Sequence, residues 1–146
     1  MTDRSVILCY NASMEKMFLN LYRRMDRVAV DCRPCLDCNA SCCNFEYSGH
    51  LPFLTLPEWI LILNHIAGEL PAPRMGFCPF LDEERRRCAI YPVRPFRCRL
   101  YFCHRFPEAD SLFSPCSAVF NPHLQEYRRL TEGLEDRSIL DFLSEV

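Results

Sequence analysis

Eleven cysteines stand in this chain of 146 residues, and their spacing is that of sulfur arranged to hold metal. One group reads Cys32-Arg33-Pro34-Cys35-Leu36-Asp37-Cys38-Asn39-Ala40-Ser41-Cys42-Cys43. A second runs from Cys78 through Cys88 and Cys98 to Cys103. In Cys35-x2-Cys38 two thiolates can reach one ion across a tight turn, the unit that zinc sites use in pairs to close a tetrahedron. Cys42 and Cys43 are neighbours, and neighbouring side chains diverge in extended backbone. That pair points to two adjacent metals, to a cluster, or to one ligand beside a non-ligating thiol. Counted from Cys32, the run Cys32-x2-Cys35-x2-Cys38-x3-Cys42 has the spacing that holds four-iron clusters in bacterial ferredoxins, with Cys43 where proline normally follows. Spacing alone leaves iron–sulfur and zinc both open. Iron–sulfur is placed slightly ahead, because the cysteines exceed what one four-coordinate ion needs.

The second group carries a different accompaniment. Arg94, Arg97, Arg99 and Arg105 crowd Cys98 and Cys103. Arginine beside a thiolate offsets its charge and lowers its pKa, which favours metallation. An anion site or plain surface are the alternative readings of these arginines. Of the scattered histidines, His104 beside Cys103 is the one placed to ligate. Cys32 and Cys116 are further candidates, and Cys9 reads as a core thiol. Glu58 reads as a helix cap rather than as a general base.

Taken in order, Cys35-x2-Cys38-x3-Cys42-Cys43, Cys78-Pro79-Phe80-Leu81, Cys88-Ala89-Ile90-Tyr91, Arg94-Pro95 and Cys98-Arg99 resemble the YkgJ-like cysteine-cluster family of zinc- or iron-chelating domains. The resemblance covers roughly residues 32 to 104, half the chain. It implies a small metal-chelating domain whose ligands are its cysteines. On this chain the expected ligands are Cys35, Cys38, Cys42, Cys43, Cys78, Cys88, Cys98 and Cys103. The spacing before the double cysteine is one residue longer than is usual there, and Cys32 and Cys116 are additions. Flagellin lysine N-methylases carry a similar cysteine pattern, which implies a protein substrate for some members. No glycine-rich loop follows a strand pattern here, so the sequence offers no S-adenosylmethionine site.

Composition sets the setting for this chemistry. The hydrophobic fraction is 49%, enough for one domain of this length to build a core without disulfides. Disulfide-dense scaffolds are typically shorter secreted chains, and an odd cysteine count leaves one thiol over in any fully paired scheme. The apolar run Val6–Cys9 is too short for a signal peptide, and no stretch has the length of a membrane span. A cytoplasmic protein with reduced thiols is therefore expected. The formal net charge is −2, and thiolate ligation makes it more negative, so nucleic acid is disfavoured as a partner. Lys16 is the only lysine, a poor basis for Schiff-base chemistry.

The elements that must position the cysteines follow from periodicity. Met14, Met17, Phe18, Leu21, Met25 and Val28 predict an amphipathic helix over 12–30, capped by Asn11 or Ser13. Thr55-Leu56-Pro57-Glu58 is a capping-box signature, predicting a helix to about Ala67 with Gly68 as its stop. Its buried face would be Trp59, Ile60, Leu63, Ile66 and Ala67. Phe80-Leu81 and Ala89-Ile90, around the charged tip 82–87, predict a hairpin that brings Cys78 and Cys88 together. Residues 91–120 read as irregular. Asn121-Pro122 then reads as the start of C-terminal helices over about 121–145, with Leu124, Tyr127, Leu130 and Leu134 inward, a break near Gly133, and Ile139, Leu140 and Leu143 in a last short helix. The expectation is one domain over 1–146, α+β and mostly α, its helices packed around a cysteine-rich, metal-binding irregular region and a short β-hairpin. Two functional classes follow. In one, the metal centre acts in redox chemistry or in modification of a partner protein. In the other, zinc only staples an interaction domain, since a structural zinc contributes ~10–16 kcal/mol to folding.

Overall fold

Residues 14 to 25 place apolar side chains three and four apart, and the chain answers with a long helix, α1 (Ala12–Cys32). The structure, a computed structural model, describes residues 12–32, 43, 45, 51–100 and 115–145, the side chains of 28–32, 100 and 115–121 excepted. Phe18, Leu21, Tyr22 and Met25 form the buried stripe of α1. Met17, expected to face inward, is 49% exposed, because it sits one residue off a stripe that Phe18 and Tyr22 already fill. Ser13 lies inside the first turn, and Asn11 lies outside the described residues.

A two-residue strand, β1 (Phe53–Leu54), leads through Thr55 into helix α2 (Leu56–His65). Thr55 and Glu58 form the expected capping box, with proline in the first turn. The helix stops earlier than expected, since Ile66 is already extended, and Gly68 follows at φ +127°. Pro57 to Ile62 are all buried. A helix covered on every side belongs to the centre of a fold, so Leu61 and Ile62 join the core, whereas Leu63 and Ile66 are half-buried and Ala67 is exposed.

The hairpin forms as predicted. Strands β2 (Leu81–Asp82) and β3 (Arg87–Cys88) pair antiparallel, Leu81 opposite Cys88 and Asp82 opposite Arg87. A 3-10 turn over Tyr91–Val93 and a short helix, α3 (Phe96–Leu100), follow. These give order to part of a stretch that reads as irregular, and they place Cys98 on a helix. The next helix, α4, spans Pro115–Leu130. It begins six residues before the Asn121-Pro122 signal and holds Pro122 in its interior. Two prolines compete for the same role here. Pro115 takes the first turn, where a missing N–H costs nothing, and Pro122 forgoes a bond to the Ala118 carbonyl. Helix α4 packs along α1, and Tyr127 is buried, with Leu124 and Leu130 packed against the core.

Beyond a turn in which Gly133 adopts φ +77°, strand β4 (Arg137–Ser138) returns to β1, pairing Phe53 with Ser138 and Leu54 with Arg137. The Ile139 amide continues the ladder onto the Pro52 carbonyl at 3.0 Å. Helix α5 (Ile139–Ser144) starts at once, its Asp141 amide donating to the Ser138 hydroxyl at 3.1 Å. Trp59 stacks on Phe142 with centroids 5.4 Å apart, and Phe96 stacks on Tyr127 at 4.0 Å. The described residues thus form a mostly helical α+β domain, with five α-helices and two short antiparallel strand pairs. No helix among them is long and apolar enough to cross a membrane.

Candidate metal centre

Four of the eight expected ligands, Cys43, Cys78, Cys88 and Cys98, lie among the described residues, and all four are thiols. Cys35, Cys38, Cys42 and Cys103 lie outside them, as do Cys9 and His104. Cys32 ends α1 and Cys116 opens α4.

Backbone hydrogen bonds join the two cysteine groups. The Cys78 amide donates to the Cys43 carbonyl at 2.6 Å, and the Phe45 amide donates to the Gly76 carbonyl at 2.7 Å. Residues 43 and 45 therefore lie beside 78 and 76, although 35 positions separate Cys43 from Cys78. Gly76 adopts φ +77°, a left-handed conformation that glycine takes at little cost. Cys43 and Cys78 are each 6% exposed and belong to the hydrophobic core.

The Cys78 segment is held at its carbonyl as well. The Leu81 amide donates to that oxygen at 3.1 Å, and Arg74 Nη2 lies 3.4 Å from both the Cys78 and Leu81 carbonyls. Arg74 also pairs with Glu83 at 2.8 Å, tying the chain before Cys78 to the hairpin tip. The Ala89 amide donates to the Phe80 carbonyl at 2.8 Å. With Leu81 opposite Cys88, Cys78 and Cys88 belong to one small hairpin unit. Cys88 and Cys98 are half-buried. No group of three or more His, Cys, Asp or Glu side chains converges as a metal site among the described residues.

The arginines beside Cys98 find acidic partners. Arg99 is buried and its Nη1 donates to Asp26. Its Nε donates to the Arg94 carbonyl at 3.1 Å and its Nη2 to the Pro92 carbonyl at 2.8 Å. Its guanidinium also lies 4.1 Å over the Tyr22 ring. Burial lowers the Arg99 pKa, with Asp26 opposing the shift. Arg94 lies 3.8 Å from Asp26 and 4.1 Å over the Tyr91 ring, and Arg97 pairs with Asp136 at 2.5 Å. Arg105 lies outside the described residues.

Glu58 does more than cap a helix, which its place in the sequence does not reveal. It is fully buried. Its Oε1 accepts from the Tyr22 hydroxyl and from the Phe96 amide, each at 2.9 Å. Its Oε2 accepts from the Tyr127 hydroxyl at 2.8 Å, the Thr55 amide at 2.8 Å and the Thr55 hydroxyl at 3.0 Å. A buried carboxylate is tolerable only when its oxygens are hydrogen-bonded, and here α1, α3 and α4 each supply a donor. Burial, then the charge of Glu58, pushes the Tyr22 and Tyr127 phenols well above their ordinary pKa. The signal available in the sequence was an acid beside Trp59 in a mostly apolar helix.

Comparison with protein-family models, with curated proteins and with solved structures gives no match to this chain.

Proposed function

We propose that this chain is a metal-binding cysteine-cluster protein of the YkgJ-like kind. In this reading Cys35, Cys38, Cys42, Cys43, Cys78, Cys88, Cys98 and Cys103 serve as ligands to an iron–sulfur centre, with zinc as the second choice. The observation that carries the reading is the hydrogen bonding of Cys43 to Cys78 and of Phe45 to Gly76. It puts the end of the first cysteine group beside the start of the second, as a shared centre requires. The donor set fits the group chemically, since thiolates are the ligands of iron–sulfur clusters and of closed zinc sites. An iron–sulfur centre supplies one-electron chemistry, and a reducing, cytoplasmic setting suits its thiol ligands. The helices then pack around the cysteine-rich region as a scaffold, and the activity served is redox chemistry or modification of a partner protein.

One observation favours the second reading, a zinc-stapled interaction domain. Cys43 and Cys78 sit in the hydrophobic core, where a closed structural ion would tie the hairpin to the helices. Anaerobic purification followed by elemental analysis, acid-labile sulfide and a visible spectrum separates the two. Iron with sulfide and a brown colour supports the first reading. Zinc in a colourless protein supports the second. Protein carrying neither, after expression with both metals supplied, refutes both.

A further inference from the structure

We propose that Glu58 and Asp26 are positioning residues that hold Cys98 in place as a ligand, by anchoring the short helix α3 on both sides of it. The proposal rests on the reading of Cys98 as part of the metal centre. Helix α3 has only five residues, far fewer than a helix needs to persist alone, so tertiary anchors must set its orientation. On one side of Cys98, the Phe96 amide donates to Glu58 Oε1 at 2.9 Å, and the Phe96 ring stacks on Tyr127. On the other side, Arg99 bonds Asp26 and the Pro92 and Arg94 carbonyls. Phe96 and Arg99 are three apart and share a helix face. Both are buried, whereas Cys98 lies off that face and is half-buried. The anchors thus grip the helix by a face other than the one that carries the half-buried thiol.

The same stretch of α2 fixes the other part of the second cysteine group. Trp59, next to Glu58, packs edge-on against Phe80 with centroids 6.3 Å apart, and Phe80 lies two residues beyond Cys78 in the hairpin. Successive residues of one buried helix therefore hold the Cys78–Cys88 hairpin and the Cys98 helix at a set separation. A ligand set needs such preorganisation, because groups that orient the ligands are part of the site.

The test compares Glu58→Gln and Asp26→Asn with Tyr22→Phe and Tyr127→Phe. The tyrosine variants each remove one hydroxyl from Glu58 and leave both anchors of α3 intact. In reduced, metal-free protein, iodoacetamide labelling of Cys98 is timed by peptide mass spectrometry, and folding is checked by circular dichroism. Glu58→Gln and Asp26→Asn, whose amide oxygen still accepts but without the charge, are expected to label Cys98 about tenfold faster than the wild type, the factor that corresponds to ~1.4 kcal/mol of weakened hydrogen bonding. The tyrosine variants are expected to melt earlier with the labelling rate of Cys98 unchanged. In metal-loaded protein, only the two anchor variants should shift the visible or paramagnetic-resonance spectrum. If Glu58→Gln does not fold, Asp26→Asn decides by itself. Unchanged labelling in the folded anchor variants overturns the proposal. Equal acceleration in the tyrosine variants does so too, because it would reflect general loosening. Failure of the underlying metal reading is told apart, since it appears as a wild type without metal, while the labelling needs none.

Discussion

The Tyr22 and Tyr127 phenols should make the fold fail in alkali. Both are buried and both donate to Glu58. Burial first, and the Glu58 charge second, raise their folded pKa values above the ordinary 10.0. In the unfolded chain each phenol releases its proton near pH 10. Above that pH the unfolded state binds fewer protons than the folded state, so stability falls as pH rises. The contribution is intact below about pH 10 and drains away toward the folded pKa values, which lie higher. Each phenol contributes a limiting slope of ~1.4 kcal/mol per pH unit, so the pair gives ~2.7. By about pH 11.5 the accumulated loss is ~4 kcal/mol, comparable with the whole stability of a marginal domain. Urea unfolding of metal-free protein at steps from pH 9 to 11.5 measures the slope, beside Tyr22→Phe, Tyr127→Phe and the double variant. At pH 7 each substitution should cost about 1.5–3 kcal/mol, as for a buried hydrogen bond to a charged group. Above pH 10 the double variant should lose stability more slowly than the wild type, by ~2.7 kcal/mol per pH unit, so the two curves converge. Equal slopes would mean that the phenols ionise within the folded protein, and the account of a sealed Glu58 network would then be wrong.

Arg99→Ala should cost about 1–3 kcal/mol in urea unfolding, because it strips two backbone carbonyls of their donor while Asp26, 43% exposed, can turn to water; Arg99→Lys should recover little of this, since an ammonium cannot reproduce the planar fork. Leu54→Ala empties a fully buried site between β1 and the core and should cost about 2–5 kcal/mol by the same assay. Gly133→Ala meets no atom within 4 Å, so its expected loss of about 1–2 kcal/mol comes from the positive φ alone, and Gly133→Asn should lose less. For the proposed centre, Cys78→Ser should lower the bound metal measured by elemental analysis, and a chelator should depress the melting temperature of the wild type while leaving that of the variant nearly unmoved.

Features written in short stretches of chain could be read before any fold was known. The stripe of α1, the Thr55–Glu58 capping box, the hairpin around 82–87 and the last helix at Ile139 each depend on residues a few positions apart. Local sterics and hydrogen bonding within such windows are decided by the sequence there. Signals that two nearby residues share equally were not resolvable this way. Pro115 and Pro122 both suit a helix start, and the helix takes the earlier one.

Tertiary structure alone decided what Glu58 and Arg99 do. Nothing local says that a capping carboxylate will receive hydroxyls from residues 36 positions before it and 69 after it. Nor does anything local say that an arginine beside a cysteine will turn to Asp26, 73 positions away. The pairing of β1 with β4 is equally silent in the sequence, because two-residue strands carry no periodicity and their partner is chosen by how the helices close. The cysteine spacings are written along the chain, but the hydrogen-bonded approach of Cys43 to Cys78 comes from folding, since contacts between distant segments form only where the burial of many side chains outweighs the entropy of closing the loop between them.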